Sequence, residues 1–184
     1  LSRCGLVGIF GQHAGFFFDL DGVWGRTEWA VRLRELVARK ARDNSRFLAC
    51  MARNALLRTP PLGFFKDFVV ESDGRHTRAI NIKRRGTGPL SDLIRVHALA
   101  IGSQALNSFE RLREIIGAAI LPLGRGQDLY DALEFISAVR ARNQAQDLAA
   151  GDEPDNSLDP EKLSEFERKS LRDAFLILGN AQKY

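Results

Sequence analysis

The chain has 184 residues, 45% of them hydrophobic, and a formal net charge of +4. It is long enough to bury a core in one large or two small domains. No apolar run reaches the roughly 20 residues needed to span a membrane. The two cysteines show no CxxC or His-paired spacing, which argues against a disulfide scaffold or zinc site and fits a reducing cytoplasm. Arginines outnumber lysines and no lysine-rich arm is present, so a phosphorylated partner is favoured over nucleic acid.

The first half of the chain predicts a small α/β region. A brief, aromatic, apolar run over residues 16–20 predicts a short buried strand. Two helices are predicted after it, at about residues 27–42 and 45–57, and Asn44 is a suitable N-cap for the second. The first helix has an apolar stripe that is expected to be buried. That stripe is formed by Trp29, Leu33, Leu36 and Val37.

A β-hairpin is predicted next. The run Thr59-Pro60-Pro61 ends the second helix. Residues 65–71 and 77–83 then have the composition of two strands, and Ser72-Asp73-Gly74-Arg75 has the composition of a tight turn between them. The α/β region therefore consists of a strand, two helices and a hairpin, and it is expected to end at about residue 88.

From residue 89 onward the pattern is helical throughout. Four helices are predicted, at about residues 89–103, 108–121, 126–149 and 160–183. Asn107 is expected to cap the second of them, and Asp159-Pro160 to open the fourth. The fold class is thus mainly α. Residues 89–184 are expected to form an antiparallel four-helix bundle, preceded by the small α/β region of residues 1–88.

The junction of these two regions, residues 80–92, is the strongest candidate site. A predicted strand leads into three cations, Lys83, Arg84 and Arg85, and then into Gly86 and a helix start. Free N–H groups at a helix start, the helix dipole and adjacent cations together favour anion binding. An ordinary strand–helix corner with solvated arginines would have the same sequence. Both interpretations stay open at this point.

Further charged residues lie on the predicted bundle helices. Arg140 continues the apolar stripe of the third helix at i+4 spacing, and it either faces a pocket or extends to solvent. Asp92 and Arg95, at i,i+3, either form a surface ion pair or belong to a site. Arg111 likewise has either a structural role or a role in a site. Together with Lys83, these arginines are numerous enough to converge on one anionic ligand.

Asp19 and Asp21 form the candidate metal site. Two carboxylates at i,i+2 on a strand project to the same face, where they are able to hold Mg²⁺ for phosphoryl transfer. The alternative is that both are turn residues after a strand. A nucleotidyltransferase would also need a Gly-Ser helix-start motif at a fixed spacing upstream, whereas only Gly11-Gln12 precedes Asp19, and too closely.

Several segments of the chain together resemble a known family. They are FFFDLDGVWG (16–25), RNALLRTPPLGFF (53–65), INIKRRGTGPLSDLIRVHALA (80–100), NSFERL (107–112), LEFISAVRARNQ (133–144), Asp155-Asn156 and LSEFERKSLRDAFLILGNAQ (163–182). In this order and spacing they resemble the bacterial nucleotidyltransferases that carry CBS or cyclic-nucleotide-binding modules upstream. That family is similar to PII-protein uridylyltransferase and glutamine-synthetase adenylyltransferase.

The resemblance implies a role for each region. Residues 1–88 would be the last part of a nucleotidyltransferase catalytic domain, and residues 89–184 a helical substrate-binding domain. Asp19 would match the third catalytic carboxylate of that family. Lys83, Gly86 and Asp92 would match a Lys–Gly–Asp pattern that is shared with the uridylyl- and adenylyltransferases, where it lies next to the nucleotide site. The residues expected to contact nucleotide or acceptor are Lys83, Arg84, Arg85, Gly86, Asp92, Arg95, Arg111 and Arg140.

The resemblance also implies an activity for the full-length protein. It would transfer a nucleotidyl group from an NTP to an acceptor, expected to be a protein, with Mg²⁺ as cofactor, in cytoplasmic signal transduction. Upstream regulatory modules and a second copy of the chain are further expected partners, whereas a membrane is not. The family usually has Arg where this chain has Asp21, and the upstream motifs are missing, so we expect a fragment that is inactive alone. The alternative is a non-catalytic regulatory or protein-interaction module.

Overall fold

The computed structural model describes residues 15–63, 67–72 and 77–183, and within them it is mainly helical. The α-helices are α1 (Glu28–Arg42), α2 (Ser45–Leu56), α3 (Gly88–Ala100), α4 (Ser108–Gly117), α5 (Arg125–Ala150) and α6 (Glu165–Ala181). Two short strands, β1 (Ile80–Asn81) and β2 (Ser157–Leu158), pair antiparallel with Ile80 opposite Leu158. The mainly helical fold class is confirmed, and the four-helix bundle stays a prediction.

The chain divides into two compact units that are interleaved in sequence. The first unit contains the described residues up to Leu57 together with Ser91–Gly126. The second contains Arg58–Leu90 and the described residues from Gln127 onward. The domain boundary expected at residue 88 stays a prediction. No helix in the described part of the chain is both long and apolar enough to cross a membrane.

Residues 16–20 do not form the predicted strand. Gly15–Phe18 is a 3₁₀ helix, and the chain bends at Asp19. Phe18 is buried in a cluster with Ala41, Met51 and Leu99. A strand needs a neighbour to accept and donate its backbone hydrogen bonds. Within the described residues of this unit Phe18 packs only against helices, so the apolar run forms a compact turn instead.

Helix α1 has the predicted bounds, but three of the four residues of its predicted stripe are exposed, and the fourth, Val37, is half-buried against the cluster that contains Phe18. Trp29 is 61% exposed, and Leu33 and Leu36 are each 42% exposed. The face that packs inward carries the small residues Ala38 and Ala41. The amphipathic pattern identified the helix correctly but not the face that is covered. Helix α2 also matches its prediction, and the side chain of Asn44 accepts a hydrogen bond from the Phe47 amide at 3.0 Å.

The predicted hairpin is present only in part. Glu71 pairs with Ala79 through two backbone hydrogen bonds of 2.8 and 3.0 Å, but these residues do not belong to a continuous ladder. Residues 65 and 66 of the first predicted strand and residues 73–75 of the predicted turn lie outside the described residues. The return strand is limited to β1, and its partner is β2, which lies in a segment that has no strand periodicity. Two-residue strands of this kind are too short to leave a pattern in the sequence.

The last predicted helix is divided in two. Asp159 caps a 3₁₀ helix, Pro160–Lys162, and the chain is then extended at Leu163. Helix α6 begins after Ser164, whose hydroxyl accepts from the Glu167 amide while the Glu167 carboxylate accepts from the Ser164 amide. These hydrogen bonds lower the pKa of Glu167, the bond from the Ser164 backbone most of all. The reciprocal cap stops the helix from continuing backward to residue 160.

Candidate functional site

The junction after β1 is helical rather than a loop. Lys83–Thr87 forms a π-helical segment that leads directly into α3, and the Gly88 amide donates to the Lys83 carbonyl. The helix start predicted near residue 89 is therefore not observed, because α3 continues directly from the π-helical segment. The Arg84 amide is also occupied, since it donates to Asn81 Oδ1 at 2.8 Å. The Arg84 amide is thus not available to an anion, whereas the side chains of Lys83, Arg84 and Arg85 supply cationic donors at this position.

Gly86 has a packing reason to be glycine. A Cβ atom added there would lie 2.9 Å from Ile136 Cγ2 on α5 and 3.3 Å from Phe175 Cε1 on α6. Both of these residues are fully buried. Gly86 thus lets the π-helical segment approach the core of the second unit closely, and this contact fixes the segment's position. Short π-helical insertions of this kind occur frequently at functional sites.

The cations of the π-helical segment have an acidic partner that the sequence analysis missed. The guanidinium groups of Arg84 and Arg85 both bind the carboxylate of Glu71. The hydrogen bond from Arg85 is the foremost reason that the pKa of Glu71 lies below its ordinary value. Lys83 is exposed and has no ion pair within the described residues. Two of the three cations therefore share one carboxylate and Lys83 adds a third positive charge, which leaves a local excess of positive charge.

Arg140 supports the same segment indirectly. Its Nε donates to Asn156 Oδ1 at 2.8 Å, while the Asn156 carbonyl accepts from the Ile82 amide at 2.9 Å. Asn156 thus connects Arg140 on α5 to the residue just before Lys83. Arg140 is half-buried in this position. In this structure it orients the start of the π-helical segment.

A second group of charged residues lies in the first unit, and we call it the Asp19 cluster. It consists of Asp19, Asp92, Arg95 and Arg111. Asp19 Oδ2 accepts from Arg95 Nη2 at 2.8 Å, and Asp19 Oδ1 accepts from Arg111 Nη2 at 2.7 Å. Asp92 Oδ1 accepts from Arg95 Nη1 at 2.8 Å. The guanidinium of Arg111 is buried, whereas the Asp19 side chain is 41% exposed.

The described carboxylates do not fit the predicted magnesium site. Both oxygens of Asp19 face guanidinium groups, whose positive charge opposes a divalent cation. Asp21 is not on a shared strand face with Asp19, and its Oδ1 instead lies 3.3 Å from Arg34 Nη1. Among the described residues, no cluster of three or more His, Cys, Asp or Glu side chains is placed to hold a metal.

The predicted site residues therefore belong to two separate units. Lys83, Arg84, Arg85, Gly86 and Arg140 are in the second, and the Asp19 cluster and Asp21 are in the first. The sequence analysis missed Glu71 and the contact role of Asn156. The structure pairs Glu71 with Ala79, which places the Glu71 carboxylate within reach of Arg84 and Arg85. In the sequence, Asn156 is distinguished only by the Asp155-Asn156 pair that contributes to the family resemblance.

Comparison with known proteins gives one match. A family model described as "Putative nucleotidyltransferase substrate binding domain" matches residues 45–184. It includes α2 to α6 and the π-helical segment, and it begins after Asp19 and α1. No curated protein and no solved structure matches the chain.

Proposed function

Because the chain belongs to the putative nucleotidyltransferase substrate-binding domain family, we propose that its π-helical segment binds the phosphates of a nucleoside triphosphate. The full-length protein would transfer a nucleotidyl group from that nucleotide to an acceptor, for which we propose a protein. Signal transduction in the cytoplasm is the setting that we propose. We also propose Mg²⁺ as the cofactor of this transfer, held by carboxylates other than Asp19 and Asp21, because the side chains of these two face guanidinium groups.

The observation that supports this proposal is the arrangement of cations on the π-helical segment. Lys83, Arg84 and Arg85 are consecutive, and their backbone is fixed by the close packing of Gly86. Arginine offers a planar fork of donors that matches phosphate oxygens, and lysine adds a mobile point charge. Because the backbone is already fixed, ligand binding costs no backbone ordering, and the entropy loss is confined to the side chains.

Glu71 sets the strength of this interaction. In the absence of ligand it neutralises part of the charge on Arg84 and Arg85. A triphosphate carries more negative charge than one carboxylate and has more acceptor oxygens, so it would compete with Glu71 for the same donors. Removal of the Glu71 charge should therefore strengthen nucleotide binding, whereas removal of the Lys83 charge should weaken it.

Calorimetric titration of the chain with ATP tests these two expectations. We expect Lys83→Ala to weaken ATP binding about fivefold, the equivalent of about 1 kcal/mol for one exposed charge contact. We expect Glu71→Gln to strengthen it severalfold, because the glutamine keeps the shape of the side chain without the negative charge.

Arg78→Ala is the matched control for this titration. Arg78 is an exposed cation of the same unit that pairs with Glu161 and lies outside the π-helical segment. Arg78→Ala should change the affinity for ATP by less than Lys83→Ala or Glu71→Gln does. If the wild-type chain does not bind ATP, or if Arg78→Ala and Lys83→Ala have equal effects, the proposed phosphate site is wrong. The non-catalytic interaction module would then be the better interpretation.

A further inference from the structure

The Asp19 cluster has the geometry of an anion-binding site that is already filled by a side chain of the same chain. Arg95 and Arg111 come from α3 and α4 and point their Nη2 groups at one carboxylate. Their own anchors are independent of that carboxylate. Arg111 Nε donates to the Ala105 carbonyl at 2.8 Å and Arg111 Nη2 to the Phe18 carbonyl at 2.9 Å. Arg95 is held by Asp92.

The two arginines are therefore held in place whether or not Asp19 is present. Their side chains are only 13% and 4% exposed, so little conformational freedom remains to be lost when a ligand binds. Asp19 differs from them, because its side chain is 41% exposed and lies at a bend after a short 3₁₀ helix. Rotation of this one side chain into solvent would uncover both guanidinium groups.

Asp19 leaves one of the donors that face this position without a hydrogen-bond partner among the described residues. Asp19 has two oxygens, and each already accepts from one arginine Nη2. Arg95 Nε lies on the same edge of its guanidinium as Nη2, and it is buried without a hydrogen-bond partner in the part of the chain that the structure describes. Buried donors normally have a partner. A terminal phosphate has three oxygens and is able to accept from all three donors.

We propose that Arg95 and Arg111 form a binding site for a terminal phosphate group, and that Asp19 occupies this site as an internal competitor. The phosphate would come from a nucleotide or from a phosphorylated acceptor, and the chemistry of recognition is the same for both. Asp19 precedes the region matched by the family model, whereas both arginines lie within it. The inference does not rest on nucleotide binding at the π-helical segment.

The test is calorimetric titration with ATP and, in a separate arm, with O-phosphoserine. All variants are made in a Lys83→Ala background. This substitution weakens phosphate binding at the π-helical segment, so that changes at the Asp19 cluster are easier to measure. We expect Asp19→Asn to strengthen binding about tenfold in at least one arm, because the competing charge is removed and the site becomes open in a larger fraction of molecules. The arm with the larger gain identifies the source of the phosphate.

Two further variants make the result specific. Asp43→Asn removes the same charge from an exposed aspartate that pairs with Arg42, and it should leave binding unchanged. Adding Arg95→Gln to Asp19→Asn should abolish the gain. If Asp19→Asn is less stable than its parent, ligand should raise its melting temperature by more than that of the parent. Unchanged affinity in both arms, or an equal gain with Asp43→Asn, would overturn the proposal.

Discussion

Replacing Arg111 with glutamine is expected to lower the free energy of unfolding by about 2–4 kcal/mol, because it removes the shared partner of several buried groups. The Arg111 side chain is 4% exposed and donates to Asp19, to the Phe18 carbonyl and to the Ala105 carbonyl. Loss of these donors removes the side-chain partner of the Ala105 and Phe18 carbonyls, and the hydrogen bond to Phe18 is buried. The exposed position of Asp19 keeps the effect below that of a fully buried ion pair.

Urea unfolding followed by helical circular dichroism measures this effect. Arg46→Gln is the matched control, since Arg46 is an exposed arginine of the same unit and its replacement should change stability by less than about 0.5 kcal/mol. Equal midpoints for the two variants would mean that Arg111 is not the anchor of the Asp19 cluster. The ion pairs of Arg95 with Asp19 and Asp92 would then be what stabilises the Asp19 cluster.

Replacing Gly86 with alanine is expected to destabilise the chain by about 1–3 kcal/mol, because the added methyl group overpacks the core. The new carbon would lie 2.9 Å from Ile136 Cγ2, closer than carbon atoms approach one another without displacement. Ile136 and Phe175 are both fully buried and have little room to move. We therefore expect the π-helical segment to shift and ATP binding to weaken at the same time.

Gly117→Ala provides the comparison for this variant. Gly117 ends α4, and apart from its chain neighbours and the backbone of its own helix no atom in the described part of the chain lies within 4 Å of the position that its Cβ would occupy. Alanine there should leave stability unchanged or raise it by about 0.4–1 kcal/mol, because the unfolded chain loses conformational freedom. The urea midpoint of Gly86→Ala should therefore fall below that of the wild type, whereas the midpoint of Gly117→Ala should equal or exceed it. A midpoint for Gly86→Ala at or above that of the wild type would contradict the close packing described here.

The parts of the fold that the sequence predicted correctly depend on local signals. The periodicity of α1 and the side-chain cap of Asn44 identified the two helices of the first half within a residue or two. Periodicity did not reveal which face of α1 is covered, because that depends on distant segments. Trp29 is consequently exposed where burial was expected.

The parts that were predicted incorrectly depend on longer-range contacts. Alternation of Ile80 and Ile82 predicted a strand up to Lys83, yet both are buried where a two-residue strand changes into a helix. Asp19 and Arg111 are 92 residues apart, so no local pattern predicts their contact. The identities of the site residues were proposed from the sequence, and the division of those residues between two units was not.

Amide chemical shifts recorded while ATP is added test the central proposal most directly. If the π-helical segment binds the phosphates, the amides of Lys83–Thr87 should show the largest saturable shifts in the second unit, and Lys83→Ala should reduce them. If these five amides remain unchanged while ATP binds elsewhere on the chain, the π-helical segment is not the phosphate site.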